Sequence, residues 1–85
     1  MYNIQILPPA GKDLDEFEGK LFTALQEKIQ ELKVTPRPSD CEKLTAEEGY
    51  RIRVRNIRIL YRVDDKTKTV FIYRVRHRRE VYRRL

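Results

Sequence analysis

The sequence predicts an α+β domain of order β-α-α-β-β-β, a helical hairpin packed on a small, mainly antiparallel sheet. Three observations predict it. Apolar residues recur at helical spacing from Leu14 to Leu32, and alternate at strand spacing after Tyr50. The later strands are joined by connections too short for crossovers. The 85 residues suit one domain, 1–85, with a modest core.

Tyr2 to Leu7 is a short β-prone run with Ile4 and Ile6 on one face, closed by Pro8-Pro9. Leu14, Phe17, Leu21, Leu25, Ile29 and Leu32 then form an amphipathic stripe, widened by Phe22 and Ala24. Glu18-Gly19 interrupts it where a helical hairpin would turn. Glu27, Lys28, Glu31 and Lys33 read as a solvated outer face. Thr35 to Asp40 is a loop by composition, and Cys41 to Gly49 has no clear period. Strands are expected at Tyr50–Arg55, Arg58–Val63 and Thr69–Val75, with turns at Asn56-Ile57 and Asp64–Thr67. The helix-facing side is expected to hold Ile52, Val54, Ile57, Ile59, Tyr61, Val63, Phe71, Tyr73 and Val75. The opposite side would carry Arg51, Arg53, Arg58, Arg62, Arg74 and Arg76, with Leu60, Val70 and Ile72 between them. Arg78 to Leu85 fits a short terminal helix or tail. Together these form an α+β layer with helices on one side of the sheet.

Charge is divided unevenly. Residues 1–50 hold six basic and ten acidic side chains, a net of −4; residues 51–85 hold thirteen and three, a net of +10. That asymmetry implies one oriented positive face that steers anionic partners toward it. Cys41 is the only cysteine, which excludes an internal disulfide and an all-cysteine metal site. Neither a signal peptide nor a membrane span is legible, so a cytoplasmic setting is expected, with no membrane partner.

Gly-rich phosphate loops, His/Cys metal clusters and nucleophile elbows are all missing from the sequence, so neither a cofactor nor a metal is expected. Arginine, tyrosine and one histidine remain. Arginine forks grip phosphate and stay charged at working pH. His77 is of the side-chain type that can give and take protons near neutrality. These parts suit RNA cleavage by its own 2′-hydroxyl, which needs a proton acceptor, cations around the phosphorane and an acid for the 5′-oxygen. A nucleic-acid-binding surface without turnover is the plainer reading of the same residues. Among the tyrosines, Tyr50 and Tyr82 are candidates to stack on bases, while Tyr61 and Tyr73 read as core.

The run from Tyr50 to Val63 (YRIRVRNIRILYRV), followed by Val75 to Tyr82 (VRHRREVY), resembles the RelE/ParE family of toxin–antitoxin toxins. The first strand, the helical hairpin and Glu42-Lys43-Leu44 ahead of the meander fit as well, so the resemblance covers nearly the whole chain. It implies a RelE-like fold. It further implies an mRNA interferase that cuts message in the ribosomal decoding site without metal, and a cognate acidic antitoxin. By position, Arg51 and Arg53 match basic residues lining the family's site, and Arg58 the arginine on the scissile phosphate. Arg76, His77 and Arg78 fall in the segment supplying a further arginine and, in some members, a catalytic histidine. Tyr82 matches a terminal tyrosine that stacks on or helps activate the nucleotide. Arg51, Arg53, Arg58, His77, Arg78 and Tyr82 are therefore the candidate catalytic residues, and Arg55, Arg62, Arg74 and Arg76 the candidate substrate-binding ones. Two departures stand out. Arg55-Asn56 occupies a turn where the family commonly has Gly, and arginines replace lysines found in some RelE members. Glu47 and Glu48 are candidates to stand in for a glutamate base. The alternative within this family is a ParE-like inhibitor of DNA gyrase that cuts no RNA.

Overall fold

A computed structural model describes residues 1–45 and 48–77. Its elements are β1 (Asn3–Ile6), α1 (Pro8–Leu14), α2 (Gly19–Glu31), β2 (Glu42–Lys43), β3 (Tyr50–Val54), β4 (Ile57–Asp64) and β5 (Thr69–His77). The expected α+β architecture is present, with one strand more than expected: β2, two residues long, pairs with β3. The sheet runs β1-β5-β4-β3-β2. Among the described residues only β1–β5 is parallel; the other pairs are antiparallel. Residues 78–85, where a short helix or tail was expected, lie outside the described residues.

Pro8 and Pro9 do more than end β1. They occupy the first positions of α1, where a missing N–H costs nothing and φ is already helical. α1 then runs beside β5, along the edge that β1 leaves open beyond Ile72. The Leu7 N–H donates to the Ile72 carbonyl at 2.9 Å, and the Asp13 carboxylate accepts the Val75 N–H at 2.9 Å. A strand edge that would otherwise present unpaired amides is thereby covered.

α2 lies across one face of the sheet. Its Leu25 and Ile29, with Leu32 just beyond, join Ile52, Ile57, Ile59, Tyr61, Val70, Ile72 and Val75 in the buried core. Phe17, Leu21 and Phe22 pack at its margin. Here the expected faces need one correction. Leu60 pairs with Arg74, but Tyr61 pairs with Ile72, so Tyr73 is an extra residue in β5. This bulge shifts the two-residue alternation by one. Val70 and Ile72 are consequently core, while Phe71, paired with Arg62, turns to the open face.

The loop after α2 is pinned to the far end of the sheet. Arg37 grips Asp65 with two bonds, at 2.8 and 3.2 Å, and donates to the Tyr50 hydroxyl at 2.9 Å. Tyr2 also donates to Asp65, at 2.7 Å. Gly49, just before β3, has φ +128, and a Cβ there would stand 2.7 Å from the Tyr61 carbonyl oxygen. Only glycine allows that approach. Beneath the loop, the buried Tyr61 hydroxyl donates to the Pro36 carbonyl at 2.8 Å. Burial and the neighbouring Cys41 push this phenol above its ordinary value of 10.0. A folded-state value above the unfolded one stabilises the fold fully below about pH 10, and that contribution is lost as pH rises further. An ultraviolet phenolate titration is therefore expected to leave Tyr61 un-ionised until the chain unfolds. Reversible ionisation of every tyrosine with the fold intact would contradict this.

No helix among the described residues is long and apolar enough to cross a membrane.

Candidate phosphate-binding face

The side of the sheet turned away from α2 is where the arginines collect. Alternation along β3, β4 and β5 sends Ile52, Ile59 and Val75 inward, and their sequence neighbours outward. Register then aligns them in rows across the strands. Arg53 pairs with Arg58, and Arg58 with Arg76. With strands about 4.8 Å apart, this row spans roughly 10 Å. Like charges directly opposite one another destabilise a sheet. Such a row is favourable only when something negative meets it. Arg53 is exposed, whereas Arg58, at the centre, is only 3% exposed.

The next row runs Glu42, Arg51, Leu60, Arg74. Glu42 reaches Arg51 at 2.9 Å. The Arg51 hydrogen bond, reinforced by the charges of Arg51, Arg58 and Arg53, holds the Glu42 carboxyl below the usual glutamate range. Arg51, Arg53 and Arg58 thus act on one point, and a carboxylate already sits there. β2 supplies this group. The sequence signal for it was slight, because two residues carry no periodicity and its pairing with β3 cannot be read from the chain.

Other expected residues fall elsewhere. Arg74 is on this face, but its guanidinium is held by Asp13 with two bonds, at 2.9 and 3.0 Å. Asp13 is buried and also lies 3.8 Å from Arg76. Arg74 therefore anchors α1 to the sheet rather than reaching outward. Arg62 is exposed and lies over the Phe71 ring, 5.5 Å from its centroid. Arg55 sits in the β3–β4 turn with φ 57, where the family commonly has Gly, and lines a hollow with Gly19, Phe22 and Glu27 of α2. That is the helix side, away from the arginine rows.

His77 is also on the helix side. It pairs with Ile57, which is core, and its ring lies 5.6 Å from that of Phe17. Adjacent residues of a strand point to opposite faces, so Arg76 and His77 cannot share one. β5 extends through His77, whereas the expected strand stopped at Val75. Tyr50 and Tyr61 stack on the core side, 5.7 Å apart. Glu48 is exposed. Arg78, Tyr82 and Glu47 lie outside the described residues. Among the described residues, no three His, Cys, Asp or Glu side chains group as a metal site would require.

Known proteins share this fold. The sequence profile of the ParE toxin of type II toxin–antitoxin systems, parDE, matches residues 4–82. In solved structures, the chain is similar to a component of the RelBE2 toxin–antitoxin complex from Mycobacterium tuberculosis. That match has 29% identity, TM-score 0.80, and covers 89% of this chain and 96% of that one. A chain of the intact RelBE complex from E. coli matches at 25% identity and TM-score 0.79, covering 91% and 96%. A chain of the RelB–RelE complex from Methanococcus jannaschii matches at 26% identity and TM-score 0.77, covering 95% and 98%. None of the curated proteins matches the sequence significantly.

Proposed function

The chain belongs to the ParE toxin family of type II toxin–antitoxin systems, and from that premise we propose that it is a RelE-like endoribonuclease that cuts messenger RNA on the ribosome. As the toxin of a toxin–antitoxin pair, it has an antitoxin for a partner. The +10 charge of residues 51–85 makes an acidic one the natural match. Work on ribosomes would place the protein in the cytoplasm.

One observation carries the reading: Arg53, Arg58 and Arg76 aligned across three strands, with Arg51 in the adjoining row, on the face that α2 leaves open. Cleavage by the 2′-oxygen gathers a second negative charge on the phosphorane. Fixed cations aimed at that charge give such a site most of its power to lower the barrier. In this reading Arg53, Arg58 and Arg76 stabilise it, and Arg51 joins them on release from Glu42. The freed Glu42 carboxylate then loses the hydrogen bond that holds its basicity down, and accepts the 2′-proton. As the P–O5′ bond breaks, the departing 5′-oxygen takes a proton from water and Glu42 returns its proton to solvent, which leaves a 2′,3′-cyclic phosphate and a 5′-hydroxyl. Arg78 and Tyr82 are assigned by the resemblance to phosphate stabilisation and base stacking. His77, turned toward Phe17, is assigned no catalytic role.

A second reading is a ParE-like gyrase inhibitor, favoured by the profile that matches and by the placement of His77 away from the arginine rows. Primer extension on messages from induced cells separates the two. Discrete cuts within translated codons support the ribonuclease. Intact messages accompanied by gyrase-dependent DNA breaks support the inhibitor.

A further inference from the structure

The bulge at Tyr73 creates a feature that the arginine rows do not include. Beyond it, a third row crosses the open face: Gln5 of β1, Phe71 of β5 and Arg62 of β4. Ile4, one neighbour of Gln5, packs on the core, which leaves Gln5 turned outward and exposed. Phe71 is half-buried, with its ring beneath the Arg62 guanidinium at 5.5 Å. Without the bulge, Phe71 would have been core and Ile72 would have faced outward.

Building on the ribonuclease reading, we propose that Gln5, Phe71 and Arg62 form a platform for one unpaired base of a single-stranded RNA, set apart from the scissile nucleotide. The chemistry of each position fits. An aromatic ring offers a stacking surface to any base, and the exposed guanidinium lying over it swings aside to a phosphate to admit the base, or serves as the stacking plane itself. A side-chain amide carries both a donor and an acceptor for a base edge. Distance sets the role. Arg62 is four residues along β4 from Arg58, roughly 13 Å at about 3.3 Å per residue. That is too far for the reacting nucleotide and on the same continuous face. The row between them, Leu60 flanked by Arg51 and Arg74, provides an apolar and cationic path for the connecting backbone. The occupant is therefore RNA threaded across the sheet, held at one end by phosphate and at the other by a base.

Fluorescence anisotropy with short single-stranded oligoribonucleotides, made non-cleavable by 2′-O-methylation, tests this. Each oligonucleotide is paired with a version abasic at the position expected over Phe71. Phe71→Leu keeps apolar volume without a stacking ring, and Gln5→Ala changes only an exposed side chain, so both should retain the wild-type melting temperature. Phe71→Leu is expected to weaken binding of the base-bearing RNA about tenfold, within the usual range for a lost base stack. It should leave the abasic RNA unaffected. Gln5→Ala should flatten any preference among A, C, G and U in that position. Arg53→Ala, in the phosphate row, should weaken both RNAs alike. If Phe71→Leu binds both RNAs as wild type does, or loses both equally, the platform is overturned and the ribonuclease reading stands. Phe71→Leu that loses only the antitoxin makes the patch a protein contact and overturns it as well. A wild-type chain that binds no single-stranded RNA overturns the platform, while message cleavage on ribosomes decides the ribonuclease reading separately.

Discussion

Replacing Arg53 by alanine is expected to lower message cleavage by about 100- to 1,000-fold, the usual effect of removing one preorganised group from a charge-stabilising site. The same change should leave thermal stability within a few tenths of a kcal/mol, as for other exposed positions. Arg53 is exposed at the outer end of the Arg53–Arg58–Arg76 row, so its removal deletes a cation and little packing. It also relieves repulsion within the row. Arg58→Ala is a poorer probe, although Arg58 is central. At 3% exposure its side chain is part of the packed sheet, and its loss would mix catalytic and structural effects. Turnover on ribosomes, measured beside a melting curve for each variant, checks the expectation. Undiminished cleavage by a folded Arg53→Ala chain would remove the row from the mechanism.

Asp13→Ala should be the most destabilising single change on the open-face side, costing about 3 kcal/mol. The carboxylate is buried at the edge of β5 and accepts two hydrogen bonds from Arg74 and one from the Val75 amide. Removing it strands a guanidinium and a backbone N–H together and loosens α1 from the sheet. Arg74→Ala should cost less, because Asp13 keeps the Val75 amide and has Arg76 within 3.8 Å. Urea unfolding of the two single variants and the double variant checks this, since a shared interaction makes their effects less than additive. Equal, additive losses would show that Asp13 and Arg74 do not act as a pair.

How much of this could be read in the chain depended on strand parity. Alternation through Tyr50–Val63 correctly turned Arg51, Arg53 and Arg58 outward, because β3 and β4 keep their two-residue period up to Leu60. β5 does not. Its bulge comes from register with β4, a long-range fact without a local signature, and so Phe71 was expected inside and Val70 outside. Adjacency in the chain and the resemblance put His77 with Arg76 and Arg78, and the strand was expected to stop at Val75. Extending it by two residues puts His77 across the sheet by geometry alone. Asp13 had no expected role. Its importance arises where α1 meets the free edge of β5, which no helical pattern announces. Glu42 was part of a recognised stretch but had no expected role, because pairing with Arg51 rests on a two-residue strand.

The most direct test of the central claim uses purified protein, ribosomes and a defined message positioned with one codon in the decoding site. The face formed by Arg51, Arg53, Arg58 and Arg76 predicts a cut inside that codon, with a 2′,3′-cyclic phosphate on the upstream fragment and a 5′-hydroxyl on the downstream one. An intact message under conditions where the same preparation halts DNA gyrase would contradict it.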